Sequence, residues 1–352
     1  MPSTDGLLVL LVTLRDLQHR ATRVAIVTGL VTLVLTLLFL MTGLVNQLNT
    51  EPHRAVDVVG SSHWVVADGV SGPFTSVSVL PATLADEVPG ATPVVISRGT
   101  LVPADGADTE IIVFGVDQTG GPAPALVDGT APGGPDEVVV DESAGVAVGD
   151  VVTVGTSDYT VAGLTRDATV LAGLPFVFLD LEAAQELSFS TTDVVSALLV
   201  DGDPGAVEGA TVRTAEQVAE DALGPLESAV SSIDLIRGLL WVVAAIVVGA
   251  VVYLSALERQ RDFAVMKAVG ASGRSLAAGM ALQAVVVALL SALLAGALAT
   301  VVEPVFPLRV VVPDGAYVQV PLVAVVIGLV AASFGARRAN RTDPAAAFGG
   351  VA

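Results

Sequence analysis

The sequence LERQRDFAVMKAVGASGRSL occupies residues Leu257 to Leu276 and lies between two long apolar runs. It holds Arg259, Arg261, Lys267 and Arg274, a quarter of the 16 basic residues in a chain of formal net charge −20. Short basic connections between membrane-spanning helices lie on the cytoplasmic side of the membrane. The stretch therefore predicts a cytoplasmic link between two membrane spans.

The rest of the chain is apolar enough to supply such spans. Of 352 residues 53% are apolar, and the mean hydropathy of +0.76 is too high for an ordinary soluble protein. Four apolar runs reach or approach the roughly 20 residues that cross about 30 Å of hydrocarbon as a helix. These runs are Val24–Val45, Leu239–Leu257, Leu276–Val302 and Tyr317–Phe334.

The basic residues orient these spans. Ten of the 16 lie in Met1–Arg23, Glu258–Ser275 and Gly335–Ala352, which places both termini and the central link in the cytoplasm. The first apolar run has no clean A-x-A cleavage site after it, so we interpret it as a retained signal anchor. Proline at 321 falls in the predicted first turn of the fourth span, where it is tolerated.

Residues 51–230 form an acidic segment between the first two spans. It carries 28 acidic residues and only four arginines, a net charge of −24. Such a segment is soluble and repels anionic headgroups and nucleic acid, so no nucleic-acid partner is expected. Turn signals separate the predicted strands His63–Ala67, Thr92–Ser97, Glu110–Val116, Glu137–Val140, Asp150–Val154, Tyr159–Leu164, Phe176–Leu179 and Val195–Val200. Helical patterns occupy Pro81–Glu87, Leu181–Leu187 and Thr214–Leu223, the last continuing towards the second span with a kink at Gly224–Pro225.

The predicted fold class is an integral membrane α-helical protein with four transmembrane helices and an inserted α+β extracytoplasmic domain between helices 1 and 2. The predicted segments are an N-terminal amphipathic interfacial helix (1–23), TM1 (24–48), the extracytoplasmic domain (49–232), TM2 (233–257), a cytoplasmic coupling helix (258–275), TM3 (276–302), an outer loop (303–316), TM4 (317–335) and a cytoplasmic tail (336–352).

Motifs for catalysis are missing from the sequence. It contains no GxxxxGK[ST], no HExxH, no GxSxG and no cysteine, so we predict no enzyme activity and no catalytic, cofactor or metal residue. His53 and His63 leave a metal or haem iron open, although two solvent-facing polar residues are the favoured interpretation. Asp105–Glu110 and Asp201–Asp203 have calcium-ligand character but fit solvated acidic turns better. The charges Asp234, Arg237, Glu303 and Arg309 at the span ends favour anchoring over contact with a substrate headgroup.

A helical projection of the central stretch indicates a docking surface. Phe263, Met266 and Gly270 recur at helical spacing, and Asp262 lies inside the same apolar arc. A carboxylate in an apolar arc requires a partner, because an unpaired buried charge is costly. The pattern therefore favours a helix that docks into a pocket on another protein.

The same residues resemble a known family. Glu258–Ser272, ERQRDFAVMKAVGAS, resembles the signature of FtsX/MacB-type ABC transporter permeases between their second and third spans. The tail segment Asp343–Phe348 resembles the family's terminal motif, and Asp150–Gly163 resembles a strand pair of its outer domain. The outer-domain size and the LRDLQHRATR segment are most similar to the DevC/HrtB-like exporter branch, which handles glycolipids or haem-like amphiphiles.

The resemblance implies a homodimer in the lipid bilayer of the plasma or inner membrane. Each copy docks one ABC ATP-binding subunit, two in all, and ATP is bound by that partner, so the chain itself needs no cofactor. The implied ATPase-docking residues of the coupling helix are Glu258, Arg259, Arg261, Asp262, Phe263, Met266, Lys267 and Gly270.

Movement of this helix would pass along TM2 into the outer domain, which is called mechanotransmission. The expected function is that of a permease subunit coupling ATP hydrolysis to extrusion of a lipid-, haem- or drug-like amphiphile. The alternative is a transmembrane signalling subunit that activates an extracellular partner, such as a cell-wall hydrolase, without transport.

Overall fold

A computed structural model describes residues 21–104, 106–118, 120–258, 273–306 and 309–340. Within them the chain forms two compact units, divided between Asn46 and Gln47 and again between Val230 and Ser231. We call residues 47–230 the inserted unit and the remainder the helical unit. The predicted interfacial helix lies outside the described residues up to position 20, and the predicted cytoplasmic tail lies outside them from position 341.

The helices have the following bounds in chain order: α1 Ala21–Val59, α2 Leu84–Glu87, α3 Leu181–Phe189, α4 Ala215–Leu223, α5 Glu227–Glu258, α6 Gly273–Val302 and α7 Ala316–Asn340. The strands are β1 His63–Ala67, β2 Leu80–Pro81, β3 Thr92–Pro103, β4 Thr109–Val116, β5 Leu126–Gly129, β6 Glu137–Asp141, β7 Val151–Val154, β8 Ser157–Thr165, β9 Thr169–Val170, β10 Leu174–Asp180, β11 Val194–Val195, β12 Ala197–Val200 and β13 Ala210–Thr214.

Four helices among the described residues are long and apolar enough to cross a membrane, by length and composition. They are α1, the α4–α5 stretch, α6 and α7. α1 has 39 residues, so at about 1.5 Å per residue it is longer than a membrane core requires. A 3₁₀ turn at Gly224–Leu226 separates α4 from α5, at the position of the predicted kink.

One detail of the fourth apolar helix corrects the sequence interpretation. α7 begins at Ala316, so Pro321 lies inside the helix and not in its first turn. Proline has no N–H to donate to the carbonyl four residues earlier, which here belongs to Tyr317. The helix accommodates this loss close to its N-terminal end.

Small residues pack α6 against its neighbours within the helical unit. The buried face of α6 consists of Met280, Ala284, Ala288, Ser291, Ala292, Ala295, Gly296 and Ala299. The Ser291 hydroxyl lies 3.3 Å from the Thr28 carbonyl oxygen of α1, and the Thr32 hydroxyl lies 3.4 Å from the Ser291 carbonyl oxygen. On α7, a Cβ added at Gly328 would lie 3.4 Å from the Ala284 carbonyl oxygen. Residues without bulk therefore let three helices approach closely.

The inserted unit is built on a large β-sheet. Its strand order is β13-β1-β12-β3-β4-β10-β6-β8-β5, with β7 beside β3 and β8 and with β9 beside β10. β4 pairs with β10 and β6 with β8 in parallel, and the other pairs are antiparallel. β2 and β11 form a separate two-stranded sheet. The unit is therefore β-rich, with strands in the majority over helices as the sequence predicts.

The sheet has apolar cores on both faces. One contains Trp64, Phe114 and Phe176. The other contains Val95, Ile111, Val113 and Leu179, covered by α3. Gly115 allows α3 to pack closely on the sheet, because a Cβ at position 115 would lie 2.2 Å from the Ala184 Cβ of α3.

Candidate functional site

The predicted docking segment lies between two helices of the helical unit. α5 ends at Glu258 and α6 begins at Gly273. Of the predicted docking residues, the structure describes only Glu258, as the last residue of α5. The others lie outside the described residues: Arg259, Arg261, Asp262, Phe263, Met266, Lys267 and Gly270. Their arrangement on one helical face stays a prediction.

The charges before the second apolar run are paired with each other. The Arg237 guanidinium lies 2.8 Å from Asp234 Oδ1, one helical turn away on α5. Ion pairs at this spacing stabilise a helix surface only slightly. The geometry is that of a local pair on α5.

Two histidines and two acidic turns were the candidates for metal ligation in the sequence. They contain no group of three or more His, Asp or Glu side chains that could hold a metal ion. His53 is exposed on α1, and His63 Nδ1 lies 3.1 Å from the hydroxyl of its neighbour Ser62. In the Asp201–Asp203 turn, Asp203 Oδ1 accepts a hydrogen bond from the Gly205 N–H at 2.8 Å, and Asp105 lies outside the described residues.

A buried carboxylate that the sequence interpretation missed lies in the inserted unit. Glu51, on the C-terminal part of α1, is 1% exposed, and its Oε1 accepts a hydrogen bond from the Gly173 N–H at 2.7 Å. Its Oε2 is buried without a hydrogen bond of normal geometry. Burying an incompletely paired carboxylate is costly, so the surrounding structure must hold this arrangement in place.

The loop 166–173 that covers Glu51 is held at several points. The Arg166 guanidinium donates two hydrogen bonds to Glu142, at 2.6 and 3.0 Å, and these bonds raise the pKa of Arg166. The Ala168 N–H donates to Asp141 Oδ2 at 2.8 Å. Asp167, Leu171 and Ala172 have positive φ values of 62°, 58° and 70°, which are unusual for residues with a side chain. The loop is therefore a fixed, locally strained segment.

Two cavities open on the inserted unit, and they differ in charge. The larger, of about 590 Å³, is lined by Asp117, Asp180 and Glu182, among others. Asp180 also caps α3 by accepting a hydrogen bond from the Glu182 N–H. The smaller, of about 270 Å³, is lined by apolar and hydroxyl side chains with Arg98 as its charged member.

These observations define the class of protein in broad terms. Apolar helices long enough to span a membrane precede and follow a β-rich unit, which is inserted after the first of them. This is the architecture of a multi-pass membrane protein with one large domain outside the bilayer.

Comparison with known proteins identifies the family to which the chain belongs. The model of the FtsX-like permease C-terminal family matches residues 235–344, which include the docking segment and α6. An uncharacterized ABC transporter permease of Mycobacterium bovis is 41% identical over 355 residues, covering 97% of this chain and 100% of its own length. A second, from Mycobacterium tuberculosis, is 40% identical over 349 residues with the same coverages. The chain belongs to the FtsX-like family of ABC transporter permeases.

Two solved structures are similar to a little under half of this chain. The periplasmic region of MacB from Actinobacillus actinomycetemcomitans matches with a TM-score of 0.35 and 13% identity, covering 47% of this chain and 94% of that one. A domain of a permease protein from Porphyromonas gingivalis matches with a TM-score of 0.29 and 12% identity, covering 44% and 86%.

Membership of the family has direct consequences. The chain is a permease, a membrane component of an ABC system. An ABC permease works with an ATP-binding subunit, so such a subunit is its partner.

Proposed function

We propose that this chain is the permease subunit of an ABC export or mechanotransmission system, which couples ATP hydrolysis in a separate subunit to extrusion of an amphiphilic substrate. The observation that carries the proposal is full-length identity of 41% to an ABC transporter permease, with the ERQRDFAVMKAVGAS stretch inside the family match. The lipid-, haem- or drug-like class of substrate comes from the family resemblance.

The coupling step is assigned to the segment after α5. Asp262 lies in the apolar arc with Phe263 and Met266, and all three enter a pocket on the ATP-binding subunit. Two permease copies pair, and each docks one ATP-binding subunit. The sequence itself lacks GxxxxGK[ST], which supports energy supply from that partner.

The orientation follows from charge. Both termini and the docking segment lie in the cytoplasm, because they hold ten of the 16 basic residues. The inserted unit, which carries a net −24 between residues 51 and 230, lies on the outer side. Extracytoplasmic movement of the inserted unit then accompanies each ATPase cycle.

The docking assignment is tested by capture of the ATP-binding subunit. Full-length chain carrying Asp262→Lys or Met266→Glu is purified from membranes, and the recovery of an ABC ATP-binding subunit is measured by mass spectrometry. We expect recovery to fall at least tenfold, because each change places an unpaired charge in an apolar contact of the complex, at a cost of about 3–5 kcal/mol. Gln260→Lys, on the opposite helical face, is the matched control and should retain the subunit.

Equal recovery from the Asp262→Lys, Met266→Glu and Gln260→Lys proteins would remove the docking assignment. Transport is tested next with the intact complex in vesicles, by following ATP-dependent loss of a fluorescent amphiphile from the membrane. Docking without any such loss would instead favour the signalling role, in which an extracellular partner is activated.

A further inference from the structure

The smaller cavity of the inserted unit has an apolar wall and a polar mouth. Its volume is about 270 Å³, close to the lower end of ligand pockets, at about 300 Å³. Phe74, Ile96 and Ile112 form its buried wall, being 4%, 7% and 1% exposed. Val77, which is 83% exposed, extends the apolar surface beyond the mouth.

The cavity lies where the β-sheet leaves one edge of a strand open. β3 pairs with β12 at Thr92–Val94 and with β7 at Leu101–Pro103, whereas from Val95 to Thr100 only β4 runs beside it among the described strands. The Ser196 hydroxyl fills the first part of this opening by bonding to both the N–H and the carbonyl of Ile96, at 2.9 and 3.1 Å. Backbone alternation places the N–H of Arg98 on the same open edge.

Arg98 shares a face with the apolar wall. It stands directly opposite Ile112 in the β3–β4 register, and it follows Ile96 by two residues along β3. Directly opposed residues, and residues two apart on a strand, point to the same face of a sheet. The arginine side chain therefore shares a face with the apolar wall, and Arg98 lines the cavity as an exposed residue.

The charge of Arg98 is not used inside the inserted unit. The other three arginines of residues 51–230 are engaged: Arg54 lies 3.8 Å from Asp167, Arg166 binds Glu142, and Arg213 donates to the Val70 carbonyl oxygen at 3.5 Å. Within the described part of the chain, Arg98 makes no hydrogen bond or ion pair and is exposed. Arg98 lacks a partner among the described residues even though residues 51–230 hold 28 carboxylates.

The loop at residues 73–78, which borders the cavity, is held in place by hydrogen bonds to residues outside the loop. The Thr75 hydroxyl donates to Asp221 on α4, and the Ala67 N–H donates to the Ser78 hydroxyl at 3.0 Å. On the opposite side, the hydroxyls of Ser97 and Ser188 lie 2.7 Å apart and fix the end of α3. The cavity walls are thus tied together before any ligand enters, which lowers the cost of ordering on binding.

From this juxtaposition we infer that the cavity beside β3 binds an anionic amphiphile, with a carboxylate or phosphate head on Arg98 and an apolar chain on Phe74, Ile96 and Ile112. Arginine suits both heads, because its planar guanidinium donates two parallel hydrogen bonds to either. The apolar chain then leaves the cavity over Val77. That such a ligand is the extruded substrate rests on the proposed function, whereas its binding does not.

The test is photo-crosslinking of the full-length chain in phosphatidylcholine nanodiscs, without nucleotide or ATP-binding subunit. The probe is a ten-carbon fatty acid with a diazirine in its chain, and adducts are located by mass spectrometry. We expect adducts at Pro73–Val77 and Ser188–Phe189. Excess decanoate or decyl phosphate should each suppress them, and decanol, which has the same chain without charge, should not.

Variants separate the role of the charge from the fold. Arg98→Gln should lower labelling at these peptides at least tenfold, and Arg98→Lys should restore part of it. Arg166→Gln removes an equal charge from the exposed surface of the same unit and should leave labelling unchanged. Undiminished labelling of Arg98→Gln, suppression by decanol equal to that by decanoate, or adducts confined to other peptides would each overturn the inference.

The two proposals fail separately in these experiments. Asp262→Lys should bind the probe normally, since binding is measured without the ATP-binding subunit. Arg98→Gln should still capture that subunit. Loss of the probe site with intact docking would leave the permease assignment standing, and loss of docking with an intact probe site would leave the ligand site standing.

Discussion

The core of the inserted unit contains large aromatic rings, whereas the contact face of α6 in the helical unit consists mostly of alanines. Phe176 is fully buried, with its ring centroid 5.8 Å from those of Phe74 and Phe114. On α6, Ala295 and Ser291 are equally buried but carry almost no side-chain area. Both units contain fully buried positions, but the inserted unit fills them with large side chains and the helical unit with small ones.

The surrounding medium explains the difference. In water, burial of apolar area drives folding at about 25 cal/mol per Å², so large rings contribute most. Between helices in lipid this drive is lost, because the tails are as apolar as the side chains, and close backbone approach takes its place. The two units should therefore respond differently to the same kind of substitution.

The largest effect is expected from removing a ring in the inserted unit. Phe176→Ala deletes a fully buried ring of β10 and should lower the free energy of unfolding of this unit by about 3–5 kcal/mol. Hydrogen exchange of the β4 and β10 peptides in the full-length chain measures this loss. Phe334→Ala, at a position 64% exposed on α7, is the control and should change stability by about 0.5 kcal/mol or less. A loss of similar size at both positions would contradict the proposed difference between the two units.

A smaller effect is expected from adding bulk to the helical unit. Ala295→Leu adds three carbon atoms against α1, where the Thr36 hydroxyl lies 3.5 Å from the Ala295 carbonyl oxygen. Overpacking of a tight contact costs about 1–3 kcal/mol, and exchange of the α1 and α6 peptides should increase accordingly. Ala297→Leu makes the same change two residues away on the exposed side of α6 and should be neutral. If Ala297→Leu destabilises the helices as much, close packing of α6 on α1 is not what holds them.

Sequence patterns predicted the elements that have strong apolar periodicity. β1 is found at its predicted bounds, and Glu137–Val140 and Phe176–Leu179 lie inside β6 and β10, because dense runs of valine and phenylalanine define buried strands. β13 (ATVRT) and β5 (LVDG) were missed, since they are short and partly polar and become strands only by pairing with β1 and β8. Short strands of this kind depend on neighbours that lie far away in the sequence.

The residues of the candidate sites differ in the same respect: local sequence was enough to predict some of them and not others. The docking segment was predicted from local periodicity and charge, which a single helix displays by itself, and it stays a prediction. Glu51 and Arg98 were not recognised, because their surroundings come from residues distant in the chain. The partner of Glu51 is Gly173, and the wall beside Arg98 includes Phe74 and Phe189. The one local signal for the cavity was the two-residue spacing of Ile96 and Arg98 along β3, which places both side chains on the same face of the sheet.

The smallest effect is expected from the hydroxyls between α1 and α6, and it tests whether packing or polar bonding dominates in the helical unit. The Thr36 hydroxyl donates to the Thr32 carbonyl oxygen in its own helix at 2.8 Å and lies 3.5 Å from the Ala295 carbonyl oxygen of α6. Thr36→Val keeps the shape and removes both interactions. Side-chain hydrogen bonds between membrane helices contribute on average about 0.6 kcal/mol, so the loss should be of that size.

Thr300→Val is the matched control for this change, because among the described residues the exposed Thr300 hydroxyl bonds only within its own helix, to the Ala297 carbonyl oxygen at 2.9 Å. The difference in hydrogen exchange of α1 and α6 between the two variants isolates the bond between helices. A difference well below the loss caused by Ala295→Leu would mean that close approach of small residues holds α1 to α6. A difference above about 2 kcal/mol exceeds the usual range for such bonds and would make the hydroxyls, not the alanines, the main cause of their association.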